Sequence, residues 1–150
     1  VLNNLGVIEL EKGNIEEAKT YFLDATDAGN PVKYNLGIIN IKNGEYETAI
    51  SYLQNYKSFN TALAMVLGGK AGEADKMLNN LEAHKAMNHY LKAIIAARNN
   101  NETEVFNNLR TAIGEDADLK EKAKTDMEFV KYFENATFKS IIGEEVATEE

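Results

Sequence analysis

The chain has no cysteine, no tryptophan, one proline and two histidines among its 150 residues. Without cysteine there is no disulfide, no thiolate nucleophile and no cysteine-ligated zinc, although this absence fits any compartment and decides nothing about redox environment. Positive charge is also scarce. Sixteen Lys and Arg face 24 Asp and Glu, giving a formal net charge of −8 and a pI near 4.9. This balance argues against nucleic acid and against an anionic membrane surface, since both require a basic footprint. No apolar run approaches the roughly 18–20 residues that span a bilayer, so this segment is not expected to insert in a membrane.

The chemistry-bearing residues do not assemble into a catalytic set. His84 and His89 are five apart, about 140° around a helix, and miss the i, i+4 spacing of a helical zinc pair. Gly68-Gly69-Lys70 lacks the earlier glycine and the following Ser or Thr of a phosphate loop. Glu16, Glu17, Glu45, Glu47 and Asp126 fall at expected helix starts, where carboxylates complement the helix dipole. No catalytic residue, metal or cofactor is expected, and the chain reads as non-enzymatic.

Hydrophobic content of 44% and charged content of 27% are those of an ordinary globular domain, long enough to bury a core. The chain starts at Val1 inside a helical pattern and not at Met. It therefore reads as a piece of a longer protein, with any signal peptide or anchor outside it.

What the chain does contain is a repeat. Leu5-Gly6, Gly13, Ala18 and Tyr21-Phe22 recur as Leu36-Gly37, Gly44, Ala49 and Tyr52-Leu53, at a constant offset of 31 residues. A fixed period in this range marks stacked supersecondary units. Apolar spacing predicts helices over 1–12, 14–28, 30–42, 45–56, 58–67, 71–81 and 86–98, and one after Asn101. Gly13 and Gly44 are stop signals. Asn14 with Glu17, and Asn101 with Glu104, have capping-box spacing. Asn30-Pro31 is a helix start, and Asn99-Asn100-Asn101 replaces a glycine turn.

The third unit is shortened: Ala49 to Ala74 is only 25 residues, and the loss is expected around Asn55 to Phe59. Val105 restores the 31-residue step, with Leu109 and Ala112 inward. Gly6 and Gly37 are unfavourable in helix interiors by about 1 kcal/mol each. They make sense if a partner helix crosses closely, with Ala18 or Ala49 opposite. Past Gly114, a polar helix near 118–124, then Asp126–Phe129, Tyr132, Phe133, Phe138, Ile141 and Ile142 read as a C-terminal cap, because the last unit of a stack exposes an apolar face. The acidic 143–150 segment is expected to be disordered.

These residues resemble the tetratricopeptide repeat family, whose unit is a helix pair with Leu-Gly in the first helix, Gly before the turn, and Ala, an aromatic and a small residue in the second. Leu5-Gly6, Gly13, Ala18, Phe22 and Ala25 match in order. Leu36-Gly37, Gly44, Ala49, Leu53 and Tyr56 match again, and Ala74, Leu78, Val105, Leu109 and Ala112 keep mainly second-helix positions. An Asp-x-x-Phe segment and a later Phe, here Asp126, Phe129 and Phe138, look like a cap that often follows such arrays. The unit is 31 residues against a typical 34, the frequent Trp is absent, Glu9 and Asn40 stand where a Tyr is usual, and the closing Pro is missing.

The resemblance implies an all-α, right-handed α-solenoid of antiparallel helix pairs. It gives one repeat domain over 1–142, with units of about 1–29, 30–57, 58–82 and 83–114, a cap over 115–142, and the acidic tail. It also implies a protein- or peptide-binding scaffold. First helices line the groove of such arrays, which places Asn3, Tyr34, Phe59 and Tyr90 in one row and Val7, Ile38, Leu63 and Ile94 in a second. Asn4, Asn35 and Asn60 share one position, a candidate asparagine ladder for a peptide backbone, since an amide offers both donor and acceptor. The plainer readings stand beside these: apolar residues at helical spacing are core, and asparagines bond locally. A cationic clamp for acidic peptide C-termini is not supported.

Two alternatives remain, a structural spacer with a self-filled groove and a glycan-binding module of an envelope uptake system. Tyr34, Phe59 and Tyr90 could stack on sugars; glycan binding then requires Tyr34 and Tyr90 to be open, whereas a spacer requires them buried. The Asn- and Lys-rich, Cys-free style suggests a bacterial cell-envelope protein.

Overall fold

The computed structural model describes residues 1–25 and 29–144. The expected end of the second helix near Ala28, and all but the first two residues of the expected tail, lie outside them. No strand occurs among the described residues. They form ten α-helices and a 310 turn: α1 Leu2–Glu11, α2 Ile15–Asp24, α3 Asn30–Lys42, α4 Tyr46–Leu53, α5 Phe59–Leu67, α6 Ala71–Leu78, α7 Lys85–Arg98, α8 Glu102–Glu115, α9 Leu119–Thr125, the 310 turn Met127–Tyr132, and α10 Ala136–Ile142. Two compact units result, Val1–Met77 and Leu78–Glu150. The division falls inside the segment expected as the third repeat.

In the first unit α1 packs on α2, α3 on α4, and each second helix on the first helix that follows it, α2 on α3 and α4 on α5. The repeat glycines end helices as expected: Gly13 and Gly44 take φ of +85° and +76°, a region open to glycine without a Cβ clash. Ala18, Phe22, Val32 and Ile39 are fully buried in one cluster with Leu36 and Ala25. Ala49 and Leu53 are equally buried in the next pair.

Gly6 and Gly37 do sit at close crossings, but the alanines are not the nearest partners. A Cβ on Gly6 would lie 2.5 Å from Phe22 Cε1, and one on Gly37 would collide with Leu53 Cγ. Each glycine makes room for the large side chain one turn beyond the repeat alanine, so small faces large. The Asn14 capping box is not formed. Asn14 precedes α2 without a side-chain cap bond, and its Nδ2 donates instead to Glu9 Oε2 at 2.7 Å. The hydrogen bond from Lys12, and then that from Asn14, hold the Glu9 carboxyl below the usual carboxylate range. The helix opened by Asn30-Pro31 takes Gly29 as its N-cap residue.

The third unit loses residues where expected. At the 25-residue offset α5 corresponds to residues 34–42 of α3, so the first turn of α3 has no counterpart. Ser58 caps the shortened helix by accepting from Thr61 N. Thr61, fully buried, donates its hydroxyl to Tyr56 O at 2.7 Å, and Tyr56 OH donates to Asn30 O. Side chains thus replace the missing backbone turn in joining α4 to α5.

In the second unit α7 and α8 form a hairpin. The Asn99-Asn100-Asn101 turn behaves as expected. Asn100 is left-handed at φ +58°, and Asn101 caps α8 by accepting from Glu104 N at 3.3 Å. Val105, Leu109 and Ala112 are fully buried. The cap is built by α9, the 310 turn and α10, and its Phe129 and Phe138 are fully buried in the cluster that also holds Tyr90, Leu109 and Tyr132. The segment opened by Asp126 is a 310 turn and not an α-helix. Its side chain accepts from Glu128 N, a bond that fixes the tight start.

Candidate functional site

The first helices of the first unit, α1, α3 and α5, carry eight of the residues singled out in the sequence together with Asn4. Asn3, Val7, Tyr34, Asn35, Ile38, Phe59, Asn60 and Leu63 are all half-buried. None is sealed in the core, because the second helices supply the residues opposite the core-facing positions Leu36, Ile39 and Thr61. Helical geometry puts 34 and 38 on one stripe of α3 and 59 and 63 on one stripe of α5. The stripe is polar at one end and apolar at the other.

Hydrogen bonds stitch the polar end. Asn35 Nδ2 donates to Asn3 Oδ1 at 3.1 Å, linking α3 to α1. Asn60 Nδ2 donates to Tyr34 OH at 3.0 Å, linking α5 to α3, and Tyr34 OH lies 3.5 Å from Ser58 Oγ. The Tyr34 ring packs edge-on against Tyr56, with centroids 5.2 Å apart. Of the expected ladder, Asn35 and Asn60 thus each bond a side chain of the neighbouring first helix. Asn4 is exposed, and Asn3 takes its place beside Asn35. The Asn3, Asn35 and Asn60 amides have hydrogen-bonding capacity beyond these contacts, since an Asn side chain offers two donors and two acceptor sites.

The second unit departs from the expectation at Tyr90. Its side chain is 1% exposed and packs edge-on against Phe129, with centroids 5.6 Å apart. Its OH donates to Asp126 Oδ2 at 2.9 Å, and Lys122 Nζ lies 5.5 Å from the ring centroid. Tyr90 is an anchor for the cap and is not available to a ligand. Leu91 is also buried, while Ile94 is half-buried and packs against the same core. Arg98, one helical turn past Ile94, forms a two-pronged ion pair with Glu128 of the 310 turn, and Lys131 donates to Asn100 Oδ1. The signal for Tyr90 was present in the sequence: Asp126 stands 36 residues on, in the cap pattern already recognised, and a buried phenol needs a partner.

Burial, with the hydrogen bond to Asp126 and its negative charge next, pushes the Tyr90 phenol well above the usual tyrosine range. A group whose folded pKa is raised stabilises the fold below its unfolded pKa, about 10, and loses that contribution as pH rises beyond it. Alkaline denaturation of the second unit is therefore expected to steepen above about pH 10. Tyr90→Phe should flatten that limb, as read by thermal melts across pH 8–12.

The histidines do not form a site. His84 is exposed and left-handed at the start of α7, and His89 Nδ1 lies 3.1 Å from Asn108 Oδ1. Among the described residues no group of His, Cys, Asp and Glu could hold a metal ion, and no helix is long and apolar enough to cross a membrane.

The model for the tetratricopeptide repeat matches residues 1–28 and again 31–62. No curated protein and no solved structure matches the chain. The two matched stretches coincide with the α1–α2 and α3–α4 hairpins, each with its Gly-on-large crossing, and the second runs on into α5. The chain therefore carries tetratricopeptide repeats over residues 1–28 and 31–62.

Proposed function

We propose that the first unit binds an extended protein segment across the face formed by α1, α3 and α5. Tetratricopeptide repeats are in general protein-interaction scaffolds, typically without catalysis, and this reading adds where binding occurs. The observation that carries it is the half-buried row itself. Val7, Ile38 and Leu63 offer apolar contact beside the Asn3–Asn35 and Tyr34–Asn60 pairs, whose amides have hydrogen bonds left to give to a peptide backbone. A self-filled groove would leave these residues with the near-zero exposure of Leu36 and Ile39. The glycan reading loses Tyr90, one of its three stacking platforms, to burial.

The test is selection of peptides from a displayed random library against the protein, with Ile38→Glu as the comparison. Ile38 is half-buried, so the variant should fold. Placing a charge in an apolar contact should weaken selected peptides by tenfold or more, an effect of about 1.4 kcal/mol or larger. Equal binding to both proteins would remove this face from consideration.

A further inference from the structure

The Lys and Arg residues of the second unit divide by partner. Lys85, Arg98, Lys122, Lys124 and Lys139 each pair with a carboxylate, and Lys92 and Lys131 donate to asparagine oxygens. Arg110 and Lys120 are the two that remain. Neither head group has an ion-pair or hydrogen-bond partner among the described residues, and both line one groove. A shortage of acids is not the reason, since the chain carries a net charge of −8. Two neighbouring acids are engaged elsewhere: Asp116 accepts from Asp118 N, and Glu121 pairs with Lys124.

The groove lies where α8, α9 and α10 meet and measures about 390 Å3, within the range of small-molecule sites. Arg110 stands on α8 and Lys120 on α9, and the last turn of α10 brings Ser140 and Ile141. Ile113 of α8 lines the groove with Ile141 and Ala117. Ile141 is half-buried, and Ile113 keeps 8% exposure. One part of the wall is thus cationic and another apolar. Gly114 leaves the space open, because a Cβ built there meets no atom within 4 Å.

We infer that this groove binds a small apolar carboxylate, with its carboxylate on Arg110 and Lys120 and its chain on Ile113 and Ile141. A guanidinium presents parallel N–H donors that match both oxygens of a carboxylate, and the Lys120 ammonium adds a second charge from another helix. A wholly polar anion would leave the isoleucines without a partner. A neutral alkyl chain would leave the two cations unmatched. The site lies in the second unit and does not rest on the peptide face of the first.

The probe is octanoate, titrated into the full chain and followed by amide NMR. Shifts are expected to gather in α8, α9 and α10 around the groove. Arg110→Gln should weaken binding by about tenfold or more, the loss expected for a charge-assisted hydrogen bond, and Lys120→Gln should weaken it too. Arg110 is exposed and Lys120 half-buried, so both variants should fold, as an unchanged thermal melt would verify. Gly114→Leu keeps both charges and fills the space, so it should weaken octanoate to a similar degree. Undiminished binding to Gly114→Leu would overturn the inference, as would the absence of shifts around the groove. So would equal binding of octanol, which lacks the charge, or of inorganic phosphate, which lacks the chain. Octanoate that bound only after Glu145→Gln, Glu149→Gln and Glu150→Gln were introduced together would give the groove to the chain's own acidic segment and equally overturn it.

Discussion

Phe129→Ala is expected to cost about 3–5 kcal/mol, the range for emptying an aromatic core site. That is a large share of the roughly 5–15 kcal/mol that stabilises a domain. Phe129 is fully buried and touches Tyr90 on one side and Phe138 on the other, with centroids 5.6 and 6.0 Å away. Its removal opens a cavity at the junction of α7 with the cap, and exposes the Tyr90–Asp126 hydrogen bond to water. Phe133, half-buried against the same Phe138 at 5.8 Å, provides the comparison. Phe133→Ala removes an equal ring from a site that solvent already reaches, so it should cost less than half as much. Urea denaturation followed by circular dichroism separates the two. Equal losses would mean that the cap is not organised around Phe129.

The second large effect is expected at Gly37. Its helix crosses α4 so closely that a single added methyl group overlaps Leu53, which is fully buried. Overpacking of this kind costs about 1–3 kcal/mol, so Gly37→Ala should fall in that range and Gly37→Leu at its top or above. Helix propensity works in the opposite direction, favouring Ala over Gly by about 1 kcal/mol, so destabilisation by Gly37→Ala would isolate the packing term. Leu53→Ala alone should cost about 2–5 kcal/mol through the cavity it leaves. Combined, the two changes should cost less than their sum, because the new methyl enters the space vacated by Leu53. Strict additivity in a double-mutant cycle would show that the two residues do not meet.

Much of this fold was legible because its determinants are local. Glycine at a left-handed turn, Asn at the head of α8 and glycine at a close helix crossing depend on neighbours within one 31-residue unit. The cap was legible for the same reason, since Asp126, Phe129 and Phe138 belong to one short segment. The failures are at points where another side chain, five residues away for Asn14 and 36 for Tyr90, takes the polar group. Asn14 had the spacing of a cap, but Glu9, held at the end of α1, reached its amide first. Tyr90 had the register of a ligand-facing residue, but Asp126 offered a buried phenol its hydrogen bond. Asn4 and Asn35 are equivalent by repeat, but Asn35 bonds Asn3. Periodicity specifies which residues face a neighbour, whereas the pairings among them depend on interhelical geometry that no spacing encodes.

The three first helices of the first unit also act as a ruler. On the proposed reading, the row open to a partner consists of α1, α3 and α5. Adjacent packed helices lie about 10 Å apart, so two steps span about 20 Å. An extended chain advances about 3.3 Å per residue, so this face measures out a segment of about six residues. Side chains alternate along such a segment, which leaves about three to be read by the protein and three pointing away. A recognition motif of that length would tolerate any residue at every second position.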